Sequence, residues 1–161
     1  MGSKEETSIE NTNNNRSKEY LEKVGLRTLA ISEACFSIAR RKNLPSKMCF
    51  KAYSMGYLVN IGVLLSQTES EARFMCNYAL KELGVDEDIT YALVNRLDKS
   101  AESTPLLDIL NEALLSINSK GEQCSVEEVI DEIITNYGTN SKEYSNAVVI
   151  ASKLNLADHK G

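Results

Sequence analysis

The residue types that most often carry catalysis and metal binding are scarce in this chain. Its 161 residues include one histidine, His159, which lies close to the C-terminus. Without a second histidine, a histidine-rich metal site cannot be built, and a Ser–His–Asp or Cys–His catalytic group is nearly excluded. The sequence also lacks the glycine-rich phosphate loops GxxxxGK[ST] and GxGxxG. The best-defined signatures of catalysis and nucleotide binding are therefore missing.

Carboxylates are the remaining side chains that could do chemistry. Glu128 and Asp131 lie three residues apart in a predicted helix, so they share one face and could bind one Mg²⁺. All-helical nucleotide pyrophosphohydrolases use acidic pairs in this way, with a second pair on a facing helix that this sequence does not clearly supply. Alternatively, these acids stabilise a helix N-terminus. A carboxylate–Mg²⁺-dependent nucleotide hydrolase is kept as the alternative function.

Four cysteines are spaced too widely to form a metal site: Cys35, Cys49, Cys76 and Cys124. All but Cys124 lie in apolar helical patterns, where a free thiol behaves as a small apolar group. The first fifteen residues are polar and contain no apolar signal segment. We therefore expect reduced thiols and a cytoplasmic location.

The charge balance argues against broad nucleic-acid binding. Eighteen basic and twenty-three acidic side chains give a net charge of −5, whereas neutralising phosphates requires a clustered positive surface. One local basic run, Arg40, Arg41 and Lys42, ends the first predicted helix. Cations there complement the helix dipole, and contact with an anion or a partner is the alternative.

The spacing of apolar residues predicts an all-α protein, a single compact bundle of about six or seven helices. The predicted helices span about 17–42, 47–66, 69–83 and 86–98, and three more begin at Thr104-Pro105, Ser125 and Asn140. Ser125 with Glu128 forms a capping motif, and Asn140 is predicted to cap the last helix. The domain is predicted to span 16–156, between a disordered N-terminal tail at 1–15 and a loose C-terminus at 157–161.

The second predicted helix is apolar nearly all round and has two interpretations. Residues 48–65 have the length of a short membrane span, but Lys51 and Asn60 interrupt them, which favours a buried core helix. Its glycines, Gly56 and Gly62, are expected to let neighbouring helices approach closely. No membrane association is expected.

The order of the helices, over about residues 17–156, resembles the HD-domain family of metal-dependent phosphohydrolases. SIARRKNL at 37–44 resembles the end of that family's first core helix, and MGYLVNIG at 55–62 resembles its central motif, GLLHDIG. INSKGEQCSVEE at 117–128 and NYGTNSKEY at 136–144 are similar to the closing part of small bacterial members. The resemblance implies an all-helical fold built around a metal site.

The resemblance also implies that the metal ligands are lost. The family's His–Asp doublet falls on Val59-Asn60, and its first histidine falls on Arg27. The later ligand positions fall near Ala72, near Leu97 and at Leu114. Aliphatic side chains donate no electron pair to a metal, and Arg27 would repel one. The resemblance therefore predicts a metal-independent pseudoenzyme with no cofactor.

The function predicted from these observations is regulation or scaffolding through protein–protein contacts. A homodimer and an unidentified partner are both open. Candidate contact residues are Phe50 and Tyr57 on the second helix, or Phe74 and Tyr78 on the third. Within the degenerate pocket, Arg27 and Asn60 are the candidate site residues. Arg27 could bind a phosphate-bearing ligand such as a nucleotide without hydrolysing it, or could instead be exposed or paired with an acid.

Overall fold

The computed structural model describes residues 2–60 and 69–156, with side chains described from 18–60 and 76–156. Helices account for most of both stretches: α1 (Gly2–Arg41), α2 (Ser46–Tyr57), α3 (Glu69–Glu82), α4 (Glu87–Val94), α5 (Pro105–Leu114), α6 (Val126–Tyr137) and α7 (Lys142–Lys153). The only extended pairing among these residues is an isolated antiparallel bridge between Ile117 and Gln123. The prediction of an all-α bundle of six or seven helices is confirmed.

Helices α1 and α2 form a tightly packed antiparallel pair. Gly56 of α2 lies against Ser32 of α1, and a Cβ atom at Gly56 would lie only 2.6 Å from Ser32 Cα. The predicted role of Gly56, to let two helices approach closely, is confirmed. Gly62 lies outside the described residues.

The buried residues among those described form two apolar clusters. The first lies among α1–α5 and includes the fully buried Ile31, Met55, Leu80, Leu93 and Leu110. The second is formed by the end of α5 with α6 and α7 and comprises Leu115, Val126, Val129, Ala147, Ile150 and Ala151. Leu97, in the turn after α4, packs against both clusters. The helical pair α6–α7 is thus joined to the larger bundle through the α4–α5 connection.

Side-chain caps fix the starts of the last three helices. Thr104 Oγ1 accepts a hydrogen bond from Leu107 N at 3.1 Å, and Pro105 occupies the first turn of α5. Ser125 Oγ accepts from Glu128 N at 3.2 Å, as the predicted capping motif requires. The predicted cap at Asn140 is wrong by one residue, because Ser141 Oγ accepts from Tyr144 N at 3.1 Å.

Two helices end earlier than their apolar patterns predict. α2 ends at Tyr57, where Leu58 N donates to Met55 O and Val59 N donates to Gly56 O in a tight turn. Helix was therefore wrongly predicted at 58–60, and the prediction for 61–66 lies outside the described residues. α4 ends at Val94 instead of near 98, because Leu97 adopts a left-handed conformation with φ of 53°.

At the N-terminal end of the chain, the structure differs from the prediction. Helix α1 begins at Gly2, whereas the polar composition of 1–15 predicts disorder. Helical hydrogen bonds join backbone groups, so the helix can extend from the packed region without apolar side chains. The predicted loose segment 157–161 lies outside the described residues.

In the described stretches, every helix is too short or too polar to cross a bilayer. The second predicted helix is a core element, as the sequence predicts: Cys49, Ala52 and Met55 of α2 are almost fully buried.

Candidate functional site

Four aromatic rings form a continuous surface on the α1–α2 pair, and we call this set the aromatic patch: Phe36, Phe50, Tyr53 and Tyr57. The centroid of the Phe36 ring lies 5.7 Å from that of Phe50 and 6.2 Å from that of Tyr53. The ring centroids of Tyr53 and Tyr57 are 5.4 Å apart. These are the tilted and edge-on separations that aromatic pairs prefer.

The outer members of the aromatic patch face solvent. Phe50 is 63% exposed and Tyr57 is 53% exposed, whereas Phe36 and Tyr53 are half-buried beneath them. Phe50, Tyr53 and Tyr57 are three and four residues apart, so they form one stripe along α2. Leu29, seven residues before Phe36 on α1, extends the apolar surface and is 38% exposed.

Charges differ between the two ends of the aromatic patch. The Arg40 guanidinium lies 5.8 Å from the centroid of the Phe36 ring in a cation–π contact. Lys47 is exposed one turn before Phe50 on the same face of α2. At the other end, partial burial raises the pKa of Tyr53, and a hydrogen bond with Tyr57 and then the charge of Glu33 add to this rise. The patch is therefore basic at one end and acidic at the other.

Arg27 lies where α1 meets the turn at 118–121. Gly121, with φ of 80°, packs so closely that a Cβ atom there would lie 3.3 Å from both N and Cα of Arg27. Partial burial lowers the pKa of the half-buried Arg27, Glu132 opposes this change and Arg96 adds to it. Arg27 is thus influenced by the charges of one carboxylate and one further guanidinium group, and Arg96 Nη1 itself donates to Leu93 O at 2.7 Å. Glu132 already accepts hydrogen bonds from Ser119 N at 3.1 Å and Ser119 Oγ at 2.5 Å.

Asn60, the second candidate site residue, is hydrogen-bonded to α1. Its Nδ2 donates to Thr28 Oγ1 at 2.7 Å, and Thr28 Oγ1 in turn donates to Val24 O at 2.7 Å. This chain of bonds fastens the turn after α2 to α1. Asn60 is thus bonded to the residue that follows Arg27 on α1. The described residues show no hydrogen bond between Asn60 and Arg27 themselves.

Glu128 and Asp131 are both exposed on α6. Within the described side chains, no group of three or more His, Cys, Asp or Glu residues has the arrangement of a metal site. Glu128 instead lies near Cys124, where burial, followed by the nearby carboxylates of Glu128 and Glu132, raises the pKa of the thiol. Glu128 therefore lies in the first turn of α6, where its backbone N donates to the capping residue Ser125.

The cysteines are unpaired, and three of them are core residues. Cys35, Cys49 and Cys76 are buried and Cys124 is partly exposed, as their positions in the sequence pattern predict. Burial raises the pKa of Cys35 to about 12, which keeps this thiol protonated and unreactive at neutral pH.

The sequence identified only part of the aromatic patch. Exposure of Phe50, Tyr57 and Tyr78 agrees with their prediction as contact candidates, whereas the side chain of Phe74 lies outside the described residues. Phe36 and Tyr53 were missed because each follows the spacing of core residues. The signal available in the sequence was the recurrence of aromatic residues at 50, 53 and 57 on one helix face.

Comparison of the chain with known protein families, curated proteins and solved structures finds no match.

Proposed function

We propose that this chain is a non-catalytic, HD-like helical domain that acts as a regulatory or adaptor protein through protein–protein contacts. The observation that carries the proposal is the aromatic patch, with Phe50 and Tyr57 more than half exposed on the outside of the bundle. Aromatic rings are enriched among the residues that dominate the energy of protein interfaces. Burying the Phe50 side chain on binding would contribute about 1.5–3 kcal/mol.

The geometry of the aromatic patch favours a helical partner. Its rings follow one another at helical spacing along α2 beside α1, and an amphipathic helix presents apolar side chains with the same spacing. The cations Arg40 and Lys47 favour acidic residues at the matching end of that helix. We therefore propose an acidic amphipathic helix as the partner, and a second copy of this chain is the other outcome of the tests.

The residues at the ligand positions of the HD resemblance support the loss of catalysis. Val59, Leu97 and Leu114 all belong to the first apolar cluster or pack against it. Exchanging buried ligands for apolar groups removes the cost of burying polar atoms. Four unpaired thiols fit a reducing compartment, so the cytoplasm is the proposed location.

Fluorescence anisotropy with a designed peptide tests the proposed contact. The labelled peptide carries leucine at i, i+3, i+4 and i+7 and glutamate on its other faces, and a matched peptide carries lysine instead of glutamate. We expect the acidic peptide to bind and Phe50→Ala to weaken binding by about tenfold or more. Leu83→Ala is the control because Leu83 is 64% exposed, almost the same as Phe50. Equal binding of the two peptides, or of the two variants, would contradict the proposal.

A phosphate-release assay separates this function from the alternative hydrolase. With Mg²⁺ or Mn²⁺ and a panel of nucleotides, we expect no release of phosphate or pyrophosphate above the buffer control. Release that disappears in Glu128→Ala would instead establish the carboxylate-dependent enzyme.

The electrostatic interaction of Arg27 with Arg96 and Glu132 supports an additional proposal, that the domain senses a phosphate-bearing ligand. The charges of these three side chains sum to a net positive charge, and guanidinium groups bind phosphate with paired hydrogen bonds. Isothermal titration should detect binding of at least one member of a panel that includes cyclic and hyperphosphorylated guanine nucleotides. Arg27→Gln should remove that heat. A panel that produces no heat would exclude this ligand class.

A further inference from the structure

A cleft of about 260 Å³ lies between the start of α5, the end of α7 and the loop at 98–103. It is separate from the aromatic patch and from Arg27. Its apolar lining consists of Ala101, Leu107, Ile150 and Leu154. This volume is slightly below the range typical of drug-sized ligands, so the cleft suits a smaller molecule.

A buried amide of α5 lines this cleft with an unused donor. Asn111 is only 4% exposed, and its Oδ1 accepts a hydrogen bond from Leu97 N at 2.8 Å. Within the described residues, no atom accepts a hydrogen bond from Asn111 Nδ2. Among the described residues no buried side-chain nitrogen or oxygen atom lacks a hydrogen-bond partner, so Asn111 Nδ2 is accessible from the cleft. An acceptor atom on a bound molecule can therefore reach this donor.

The same amide holds a strained residue in place. Leu97 has φ of 53°, a left-handed conformation that is unfavourable for residues other than glycine and that clusters at functional sites. Asn111 Oδ1 stabilises this conformation through the bond to Leu97 N. Because Asn111 Oδ1 is bonded to Leu97 N, the orientation of the amide is fixed, and Nδ2 remains available to a molecule in the cleft.

Both signs of charge line the cleft, through Asp98, Lys99, Asp108 and Lys153. Asp98 Oδ1 accepts from Ser100 N at 2.9 Å, and Asp108 Oδ2 accepts from Ser103 Oγ at 2.6 Å. A carboxylate offers about four acceptor positions, so both acids can accept further bonds.

The ammonium groups of Lys99 and Lys153 each make one hydrogen bond within the protein. Lys99 Nζ donates to Ser145 Oγ at 2.6 Å, and Lys153 Nζ donates to the Lys99 carbonyl at 3.1 Å. An ammonium group has three donors, so each lysine can donate further bonds. Two acids and two lysines balance, which disfavours a purely anionic or cationic ligand.

We propose that this cleft binds a small zwitterion of the amino-acid class with an aliphatic side chain. The ligand carboxylate accepts from Asn111 Nδ2 and Lys153, its ammonium group donates to Asp108 and Asp98, and its aliphatic part packs on Leu107. Four polar side chains of the cleft then have a complementary group on the ligand, and Lys99 keeps its bond to Ser145.

Nuclear magnetic resonance titration of the full chain tests this proposal, with the side-chain amide signal of Asn111 as the readout. The probes are L-leucine, L-isoleucine, L-valine and L-methionine, with two controls: 4-methylpentanoate, which lacks the ammonium group, and 3-methylbutan-1-amine, which lacks the carboxylate. We expect at least one amino acid to shift the Asn111 signal at millimolar concentration. Each control compound should bind at least about tenfold more weakly.

Because Asn111→Ala removes a buried bond and could unfold the protein, the variants are Lys153→Met and Asp108→Asn. Each should weaken binding of the amino acid about tenfold, and Lys142→Met, at the opposite end of α7, should leave it unchanged. If none of the four amino acids shifts the Asn111 signal, the proposal is overturned. It is also overturned if the single-charge controls bind equally well, or if neither cleft variant changes the affinity.

Discussion

At the scale of single residues, exposure separates side chains that the sequence pattern treats alike. Met55 and Phe50 both lie in the apolar run of the second helix, yet Met55 is fully buried and Phe50 is 63% exposed. The two residues are five positions apart in α2, so their side chains lie on different faces of the helix. When apolar residues occur all round a helix, one face packs in the core and the opposite face can form an exposed apolar surface.

The thiols provide a prediction of reactivity at this scale. In the folded protein we expect Cys124 to react first with a thiol reagent such as 5,5′-dithiobis(2-nitrobenzoate), because it is partly exposed. Cys35, Cys49 and Cys76 should react only as fast as the protein unfolds, since burial shields them. Stopped-flow absorbance, with Cys124→Ser as the control, measures both phases. A rapid phase that persists in Cys124→Ser would show that a core thiol is accessible.

Ionisation of Cys35 should make stability depend on pH. Because the pKa of this thiol rises from 9.0 to about 12 on folding, the folded state retains its proton after the unfolded state has lost it. The contribution is fully present below pH 9.0 and is lost as pH rises towards about 12. Urea unfolding of the wild type and of Cys35→Ala should therefore show a difference in unfolding free energy that falls between these pH values. A constant difference would contradict the buried state of Cys35.

At the scale of the elements, the sequence predicted which segments are helical but not where two of them end. The starts of α5 and α6 carry their own signals in Thr104 and Ser125, whose hydroxyl groups cap the helices. The ends of α2 and α4 depend on distant residues. Asn60 is bonded to Thr28 of α1, and Leu97 is held by Asn111 of α5. Tertiary contacts of this kind leave no local trace in the sequence.

The contact of α1 with α2 makes a prediction about glycine. A Cβ atom at Gly56 would meet the α1 backbone at 2.6 Å, so Gly56→Ala should force the helices apart and destabilise the protein by about 1–3 kcal/mol. Gly25→Ala is the control, because nothing lies within 4 Å of its Cβ position on α1. That variant should be stabilised by about 0.5–1 kcal/mol. Thermal unfolding measures both, and equal effects would contradict the close approach.

Asn111 makes a second prediction about the connections between elements. Replacing it with alanine removes the acceptor of Leu97 N and weakens the turn that joins the two apolar clusters. We expect Asn111→Ala to destabilise the protein by about 1–3 kcal/mol. Asn146→Ala is the control, because its Oδ1 also accepts a backbone N–H, that of Lys99, but at an exposed position. If the buried change cost no more than the exposed one in urea unfolding, this role of Asn111 would be wrong.

At the scale of the whole molecule, the sequence predicted an all-helical bundle because apolar spacing and capping residues agree along most of the chain. The candidate sites were less accessible to prediction. Arg27 was singled out from a family resemblance, but its electrostatic interaction with Glu132 and Arg96, which lie more than 60 residues away in the sequence, depends on the tertiary structure. The cleft beside Asn111 depends on the meeting of α5 and α7, which are about 40 residues apart in the sequence.

The central claim is that the aromatic patch binds another protein. The most direct test is site-specific photo-crosslinking in the native host. A photoreactive phenylalanine analogue replaces Phe50 in one experiment and Leu83, which has nearly the same exposure, in the other. We expect an adduct at position 50 that is absent at position 83, with the crosslinked segment identified by mass spectrometry as an acidic amphipathic helix. The absence of an adduct at position 50, or the same adducts at both positions, would contradict the account.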